Sequence, residues 1–448
     1  MRVALAATAA ALAFALVGTG VAFAADDGYV TDAELTGTAA AAPEQNETLP
    51  NDGQLEYQRD SFAAFCHFGP NTFANIEWGE SYGNGMPEAY EYMNELSSFD
   101  ADGYVKMIKD AGFSRLVVTA KHHDGFCIWQ SEYTDYDMER VTNYKNGEGD
   151  ILADLSAACS EYDIDMGLYL SPWDIHDESY GYDPDKGESV TDGIGTSTDP
   201  DVNYNEYYVG QLKEILGDPK YGNKGKFVEV WMDGAKGSGA NAQVYDYTRW
   251  ADTIHELESE NCIIFQCAQH TGVRWIGNEN GTSVSTATDE LWSPVKLNSA
   301  GTDYDPNTQG GVQVGYADGD LWTVPEADAR ITSGWFWGPN KSTPKSLEDL
   351  SAMYFNSIGH GATLLINIPP NNQGTVDSQI KARVEEFASN IKMSFDDNLA
   401  TGGTAKATSA YGNDKTYGPG NVLDGDKDTF WCANESAGQS LIVKLGQK

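Results

Sequence analysis

The residues able to do chemistry gather at the ends of short apolar runs. They fall in Cys66-His67-Phe68-Gly69, Lys121-His122-His123-Asp124-Gly125, Tyr169-Leu170-Ser171-Pro172-Trp173-Asp174, Trp231-Met232-Asp233-Gly234 and Arg274-Trp275-Ile276-Gly277-Asn278-Glu279-Asn280. Three chemistries could draw on them. Two carboxyl groups flanking a glycosidic bond can cleave it, one attacking the anomeric carbon while the other protonates the leaving oxygen. Asp233 suits the nucleophile, because it ends an apolar run and Gly234 leaves access to it. Glu279 suits the acid, on a loop bounded by glycine and asparagine beside Trp275, whose ring would shelter a protonated carboxyl. A strand-end aspartate can equally serve as a helix N-cap or loop acceptor, and the residues alone leave that open.

The second chemistry is metal binding by His67, His122, His123 and Asp124. Adjacent residues on a strand point to opposite faces, so one of His122 and His123 is expected to turn away from a shared site. Their spacing matches no zinc signature such as H-E-x-x-H. Hydrogen bonding to sugar hydroxyls and satisfied core roles are the other uses of such histidines. The third chemistry, a serine or cysteine nucleophile, has little support: no G-x-S-x-G is present, and Cys66 and Cys127 show only adjacency to histidines. Trp335 and Trp337 alternate along one apolar run and could share a face, which a sugar platform and a core face both need.

The elements that must position these groups alternate in kind. Apolar runs at Phe62–Phe68, Arg115–Ala120, Met166–Ser171, Phe227–Asp233, Cys262–Cys267, Ile331–Trp337 and Ala362–Pro369 read as strands. Helical patterns at Ala101–Ala111, Ile151–Tyr162, Asn205–Leu216, Gln243–Ser259 and Ser346–Ile358 lie between them, and Asp377–Lys392 follows. This alternation predicts an α/β protein with a (β/α)8-type, TIM-like barrel over residues 57–395, irregular because only seven strands are legible. In that fold functional groups sit at the C-terminal ends of the strands, where the five clusters fall. Residues 26–56 read as a linker or leader. From 396 to 448, Gly, Thr and turn residues replace helical patterning, as in the opening part of a truncated β-sandwich.

The chain has 448 residues and a formal net charge of -40. Such a surface repels phosphate backbones and argues against nucleic-acid partners. Met1-Arg2, the apolar stretch Val3–Phe23 and Ala22-Phe23-Ala24 read as a signal peptide over 1–25, which predicts a secreted or cell-surface protein with no stable membrane span after cleavage. The six cysteines form no C-x-x-C pair and are expected to be free thiols.

Taken together, HFGPNTF at 67–73, IEWG at 76–79, KHHDGF at 121–126, YLSPWD at 169–174, VWMDGA at 230–235 and RWIGNENG at 274–281 resemble the α-L-fucosidases of glycoside hydrolase family 29. The resemblance covers roughly residues 55–395. It implies a retaining double displacement with Asp233 as nucleophile and Glu279 as acid/base, and no cofactor for catalysis. It places His67, His122 and His123 on the fucose hydroxyls, with Tyr169, Trp231 and Arg274 as further contacts. Trp337 would face the C6 methyl, and Glu77 and Trp78 fall in a ligand-contact segment. The RWIGNENG segment resembles the α-1,3/1,4-specific branch, implying fucosylated, Lewis-type oligosaccharides and glycoproteins as substrates, with the loop Gly79–Glu95 available for the neighbouring sugar. The stretch from Asn398 to Trp431 resembles the start of a coagulation factor 5/8 type C, discoidin-like module, which implies sugar binding and a structural calcium near Asp424, Asp426 and Asp428.

Overall fold

The computed structural model describes residues 28–44, 48–78, 89–183, 188–189, 203–234, 243–265, 270, 272–283, 290–297 and 314–446. The signal-peptide segment, Cys267 and the loop residues 79–88 lie outside the described residues.

Eight parallel strands close into a barrel: β1 (Phe62–Cys66), β2 (Arg115–Lys121), β3 (Asp165–Leu170), β4 (Glu229–Trp231), β5 (Ile263–Phe265), β6 (Val273–Trp275), β7 (Val324–Arg330) and β8 (Thr363–Asn367). Each pairs with its sequence neighbours, and β1 closes the ring on β8 with Phe62 opposite Leu364 and Phe65 opposite Asn367. Helix α1 (Asp52–Arg59) precedes β1. Helices α2 (Ala101–Asp110), α3 (Ile151–Tyr162), α4 (Tyr204–Leu216), α5 (Tyr247–Leu257), α6 (Leu347–Ser357) and α7 (Ser378–Phe395) follow in chain order. Their starts are set by side-chain caps: Asp100, Asp150 and Ser346 accept from the backbone N–H of Gly103, Ala153 and Asp349 at 3.0, 2.8 and 3.0 Å.

Two expectations change. The segment Ile331–Trp337 is not a strand; the strand there is Val324–Arg330, which sequence patterning passed over because Glu326, Asp328 and Arg330 interrupt its apolar character. Strand β6, Val273–Trp275, is the one the apolar runs do not show, since Arg274 interrupts it and polar residues follow it at once. Residues 26–56 are also more than a linker. Asn51 caps α1, and Val30 forms an antiparallel bridge with Ala407.

Residues 28–44 and 395–446 form a second compact unit. In it β9 (Thr404–Ala407) and β10 (Leu441–Lys444) pair antiparallel. Asp424 and Asp426 accept from the backbone N–H of Asp426 and Asp428 at 2.8 and 2.9 Å, and Thr429 Oγ1 donates to Asp424 at 2.8 Å. These are turn contacts, and among the described residues no three His, Cys, Asp or Glu are arranged to hold a metal ion. Of the cysteines, 66, 127, 159, 262 and 432 are free thiols, and burial pushes Cys66 up to about 12.

Side chains alternate across a strand, so each barrel strand sends every second residue inward. At the floor, Arg115 from β2 reaches Glu229 from β4 at 3.1 Å and Glu326 from β7 at 3.4 Å, all fully buried. Gly167 makes room, since a Cβ there would come within 2.9 Å of Val117 and 3.1 Å of the Glu229 carboxylate. Tyr57, projecting from α1, holds its hydroxyl 2.7 Å from Glu229 Oε1 and 2.5 Å from Glu326 Oε2. A phenol has one proton and cannot donate to both, so one carboxyl carries a proton of its own. Glu326 already accepts from Trp231 Nε1 at 3.0 Å and from Thr363 Oγ1 at 3.2 Å, and burial raises Glu229, the neighbouring Glu326 carboxylate adding to it, so the proton belongs to Glu229.

Between an ordinary glutamate value of 4.5 and about 8, the unfolded chain releases this proton while the folded chain keeps it, so stability falls as pH rises through that window. Glu229→Gln retains a donor and removes the titration. Its thermal midpoint should decline less than the wild type's between about pH 5 and about pH 8; parallel declines would contradict the shared proton.

Candidate active site

One layer above the floor, Phe65, Tyr169, Trp231 and Phe265 fill the barrel. Trp231 stacks on Phe265 at 3.9 Å and on Tyr169 at 5.1 Å, and its indole N–H donates to Glu326 Oε1 at 3.0 Å. Trp231 therefore belongs to the barrel interior, with its polar atom turned to the floor.

The next inward positions make the mouth. Asp233, two residues beyond Trp231, is 23% exposed, and its Oδ2 accepts from Tyr169 Oη at 2.8 Å. Burial and the adjacent carboxylate hold the Tyr169 phenol well above its usual range, so it remains a donor. His123 Nε2 lies 3.6 Å from the same oxygen. His122 lies face to face with Tyr169 and its ring centre is 4.1 Å from that of His123. The two adjacent histidines thus share one site, contrary to strand alternation. A register shift between Thr119 and Lys121, followed by the end of β2, releases them from the pleat.

His67 is held by Asn367, the last inward residue of β8. Asn367 Nδ2 donates to the Trp335 carbonyl at 2.6 Å, which fixes its amide orientation. Its oxygen accepts from the His67 backbone N–H at 3.2 Å and lies 2.8 Å from His67 Nδ1. Nδ1 must therefore carry the proton and Nε2 a lone pair. Burial pushes His67 down to about 3, and burial also holds His122 and His123 below their usual range. The three imidazoles are neutral at neutral pH, which suits them to exchange hydrogen bonds with hydroxyl groups rather than to attract anions.

Glu279 sits on the loop after β6 and is 44% exposed, with Arg330 Nη2 3.3 Å from its carboxylate. Backbone bonds from Ile276 N–H to Glu326 and from Gly281 N–H to Asp328, both 3.1 Å, tie that loop to β7. Gly281 is required there: its φ is +68°, and a Cβ would meet that of Ala329 at 2.9 Å. Burial drives the Asp328 carboxyl far above the ordinary range, and Trp275 Nε1 donates to it at 2.8 Å.

The remaining sequence-derived residues divide. Trp78 is 48% exposed and stands edge-on to His123 and Trp173 at the mouth. Glu77 is taken up by the backbone N–H of Trp335 at 2.7 Å and by Lys341, so it fastens the 334–341 loop. Arg274, one position out of phase with inward-facing Val273 and Trp275, spans the carbonyls of Trp292, Ser293 and Thr323. Trp337 donates to Asp377 at 2.8 Å and faces the outer core. Trp335, 4.9 Å from His67, takes the mouth position instead, because the bent 331–337 segment does not keep two tryptophans on one face. Sequence reasoning gave no role to Ser171, Arg330 or Asn367. Each lies at a two-residue step from an inward-facing neighbour, which is the signal that would have found them.

Residues 38–394 match the family model described as Alpha-L-fucosidase. Alpha-L-fucosidase 1 of Arabidopsis thaliana is 38% identical over 396 residues, covering 88% of this chain and 70% of that protein. Among solved structures, a Ruminococcus gnavus GH29 fucosidase in complex with fucose superposes with a TM-score of 0.83 at 52% identity, covering 93% of this chain and 82% of that one. SpGH29 superposes with a TM-score of 0.78 at 37% identity, covering 90% and 82%.

The bond from Asn367 to His67 has a measurable consequence. Asn367→Leu frees the His67 tautomer and loses one net hydrogen bond of about 1 kcal/mol, so L-fucose should bind several-fold to about tenfold more weakly with the far-UV spectrum unchanged. Unchanged affinity by titration calorimetry would remove His67 from the sugar site.

Proposed function

This chain belongs to the α-L-fucosidase family, glycoside hydrolase family 29, and we propose that it is a secreted exo-enzyme that removes α-1,3/1,4-linked fucose from Lewis-type glycans with retention of configuration. The observation that carries the catalytic assignment is Asp233 itself: a carboxylate at the barrel mouth, held by Tyr169 and ringed by neutral histidines.

In the first half-reaction an Asp233 oxygen attacks the anomeric carbon of fucose as the bond to the leaving oxygen breaks. Glu279 gives its proton to that oxygen. The aromatic layer beneath Asp233 keeps water from its underside, and the Tyr169 hydroxyl, donating to Oδ2, fixes the orientation of the carboxylate. In the second half-reaction Glu279, now a carboxylate, takes a proton from water, which attacks the same carbon and releases Asp233. His67 Nε2 accepts from a sugar hydroxyl throughout, with His122 and His123 completing the ring of neutral partners. Trp335 offers an apolar face beside His67, and the exposed Trp78 ring offers a surface to the sugar next to fucose.

Export is supported by Met1-Arg2 and the apolar stretch that follows, and the linkage preference by the RWIGNENG segment. The chemistry assigned to Asp233 and Glu279 needs no cofactor.

The test offers a trisaccharide carrying α-1,3- or α-1,4-fucose beside galactose and follows the released anomers by NMR from the first turnover. Early α-L-fucose is expected, with far slower release from an α-1,2-linked disaccharide or an aryl fucoside. Early β-L-fucose would mean inversion, and equal rates on all substrates would mean an α-L-fucosidase of broad linkage specificity. Glu279→Gln should slow natural glycans by orders of magnitude more than aryl fucosides with good leaving groups, because only a poor leaving group needs the proton. Equal losses would move the acid/base role to another residue.

A further inference from the structure

Ser171 is the second residue past Tyr169 and is fully buried behind the mouth. Its hydroxyl lies 2.7 Å from the Trp173 carbonyl and 2.7 Å from His123 Nδ1. The carbonyl can only accept, so the one hydroxyl proton of Ser171 goes there. The proton between Ser171 and His123 must then come from the histidine. The turn that supplies the carbonyl is fixed: Ile175 N–H donates to the His123 carbonyl at 3.0 Å, and Asp174 forms a buried ion pair with Lys121 at 3.1 Å.

We propose that Ser171 is a positioning residue that locks His123 in the Nδ1–H tautomer, so that the ring presents a lone pair, not a proton, toward the nucleophile Asp233. Burial keeps His123 neutral despite the nearby carboxylate, so Nε2 stays bare. At 3.6 Å from Asp233 Oδ2, a bare Nε2 cannot donate to that oxygen and weaken its attack. The two acceptors instead face a common space that a sugar hydroxyl can enter, donating to Nε2 beside the carboxylate. Without the lock, the Nε2–H tautomer becomes the better one for the empty enzyme, because Nε2–H can donate to Asp233. A wrong histidine tautomer is costly even where geometry is intact, by about 10⁴ in kcat when the histidine is the base. His123 acts one step further from the reacting bond.

The proposal rests on Asp233 as nucleophile only for its kinetic arm; the tautomer is read directly. With seven histidines in the chain, nitrogen-15 NMR of histidine-labelled protein can assign His123 against a His123→Asn control. The wild type should show a protonated Nδ1 and a bare Nε2. Ser171→Ala should move the proton to Nε2 and lower kcat by about tenfold to a hundredfold on an aryl fucoside, while Ser171→Thr restores both. A proton on Nε2 in the wild type overturns the lock whatever the variants do. So does a Ser171→Ala protein that keeps the Nδ1–H form or full kcat. If Asp233 proves not to be the nucleophile while the spectra hold, the functional reading fails and the lock stands.

Discussion

The aromatic layer of Phe65, Tyr169, Trp231 and Phe265 across the middle of the barrel is the feature on which the rest of the site depends. Below it lie Arg115, Glu229, Glu326 and Tyr57, a buried charged group that needs a shared proton to be accommodated. Above it lies Asp233, which has to be both charged and reactive. The rings separate the two. Trp231 hands its N–H down to Glu326, and Tyr169 hands its O–H up to Asp233, so each polar atom of the layer is spent on the side where a carboxylate needs it. Burying either atom unpaired would cost about 1–3 kcal/mol. The layer can therefore be dry only because both ends are charged.

The mouth follows the same economy of protons. His67 and His123 each use Nδ1 on a fixed acceptor, Asn367 for one and Ser171 for the other, and each is left with a bare Nε2. Both of these nitrogens can accept and neither can donate, which matches a ligand rich in hydroxyl groups. Neutral imidazoles achieve this only when buried; exposed ones would gain protons in mild acid and turn from acceptors into donors. Glu279 is in a different setting, at the surface and paired with Arg330, on a loop whose backbone is pinned to β7.

Much of this arrangement was legible in the residues. The runs ending in His67, Asp233 and Tyr169 are short and apolar between turn residues, so the strand ends and the groups they carry could be placed. Helix α3 could be placed to both ends, because Asp150 caps it and its apolar face is regular. Strand β7 was misread because its inward face carries Glu326, Asp328 and Arg330, polar residues that serve the floor and the mouth. Strand β6 was missed because Arg274 stands in the middle of its three residues, whereas β4 and β5, equally short, lie within longer apolar runs. Trp337 and Arg274, which the resemblance places at the sugar, donate to Asp377 and to the carbonyls of Trp292, Ser293 and Thr323. A histidine pair that should diverge converges, since a register shift in β2 is invisible without its partner strand. What sequence reasoning misses are residues whose role is fixed by a neighbour from another strand.

The central claim is that Asp233 is the nucleophile of a retaining enzyme, and azide rescue of Asp233→Ala tests it most directly. With the carboxylate gone, hydrolysis of an activated aryl α-L-fucoside should fall by several orders of magnitude. Azide should enter the space left behind and attack directly, restoring turnover and giving the inverted β-L-fucosyl azide. Full hydrolytic activity in the variant, or a rescued product of retained configuration, would contradict the assignment.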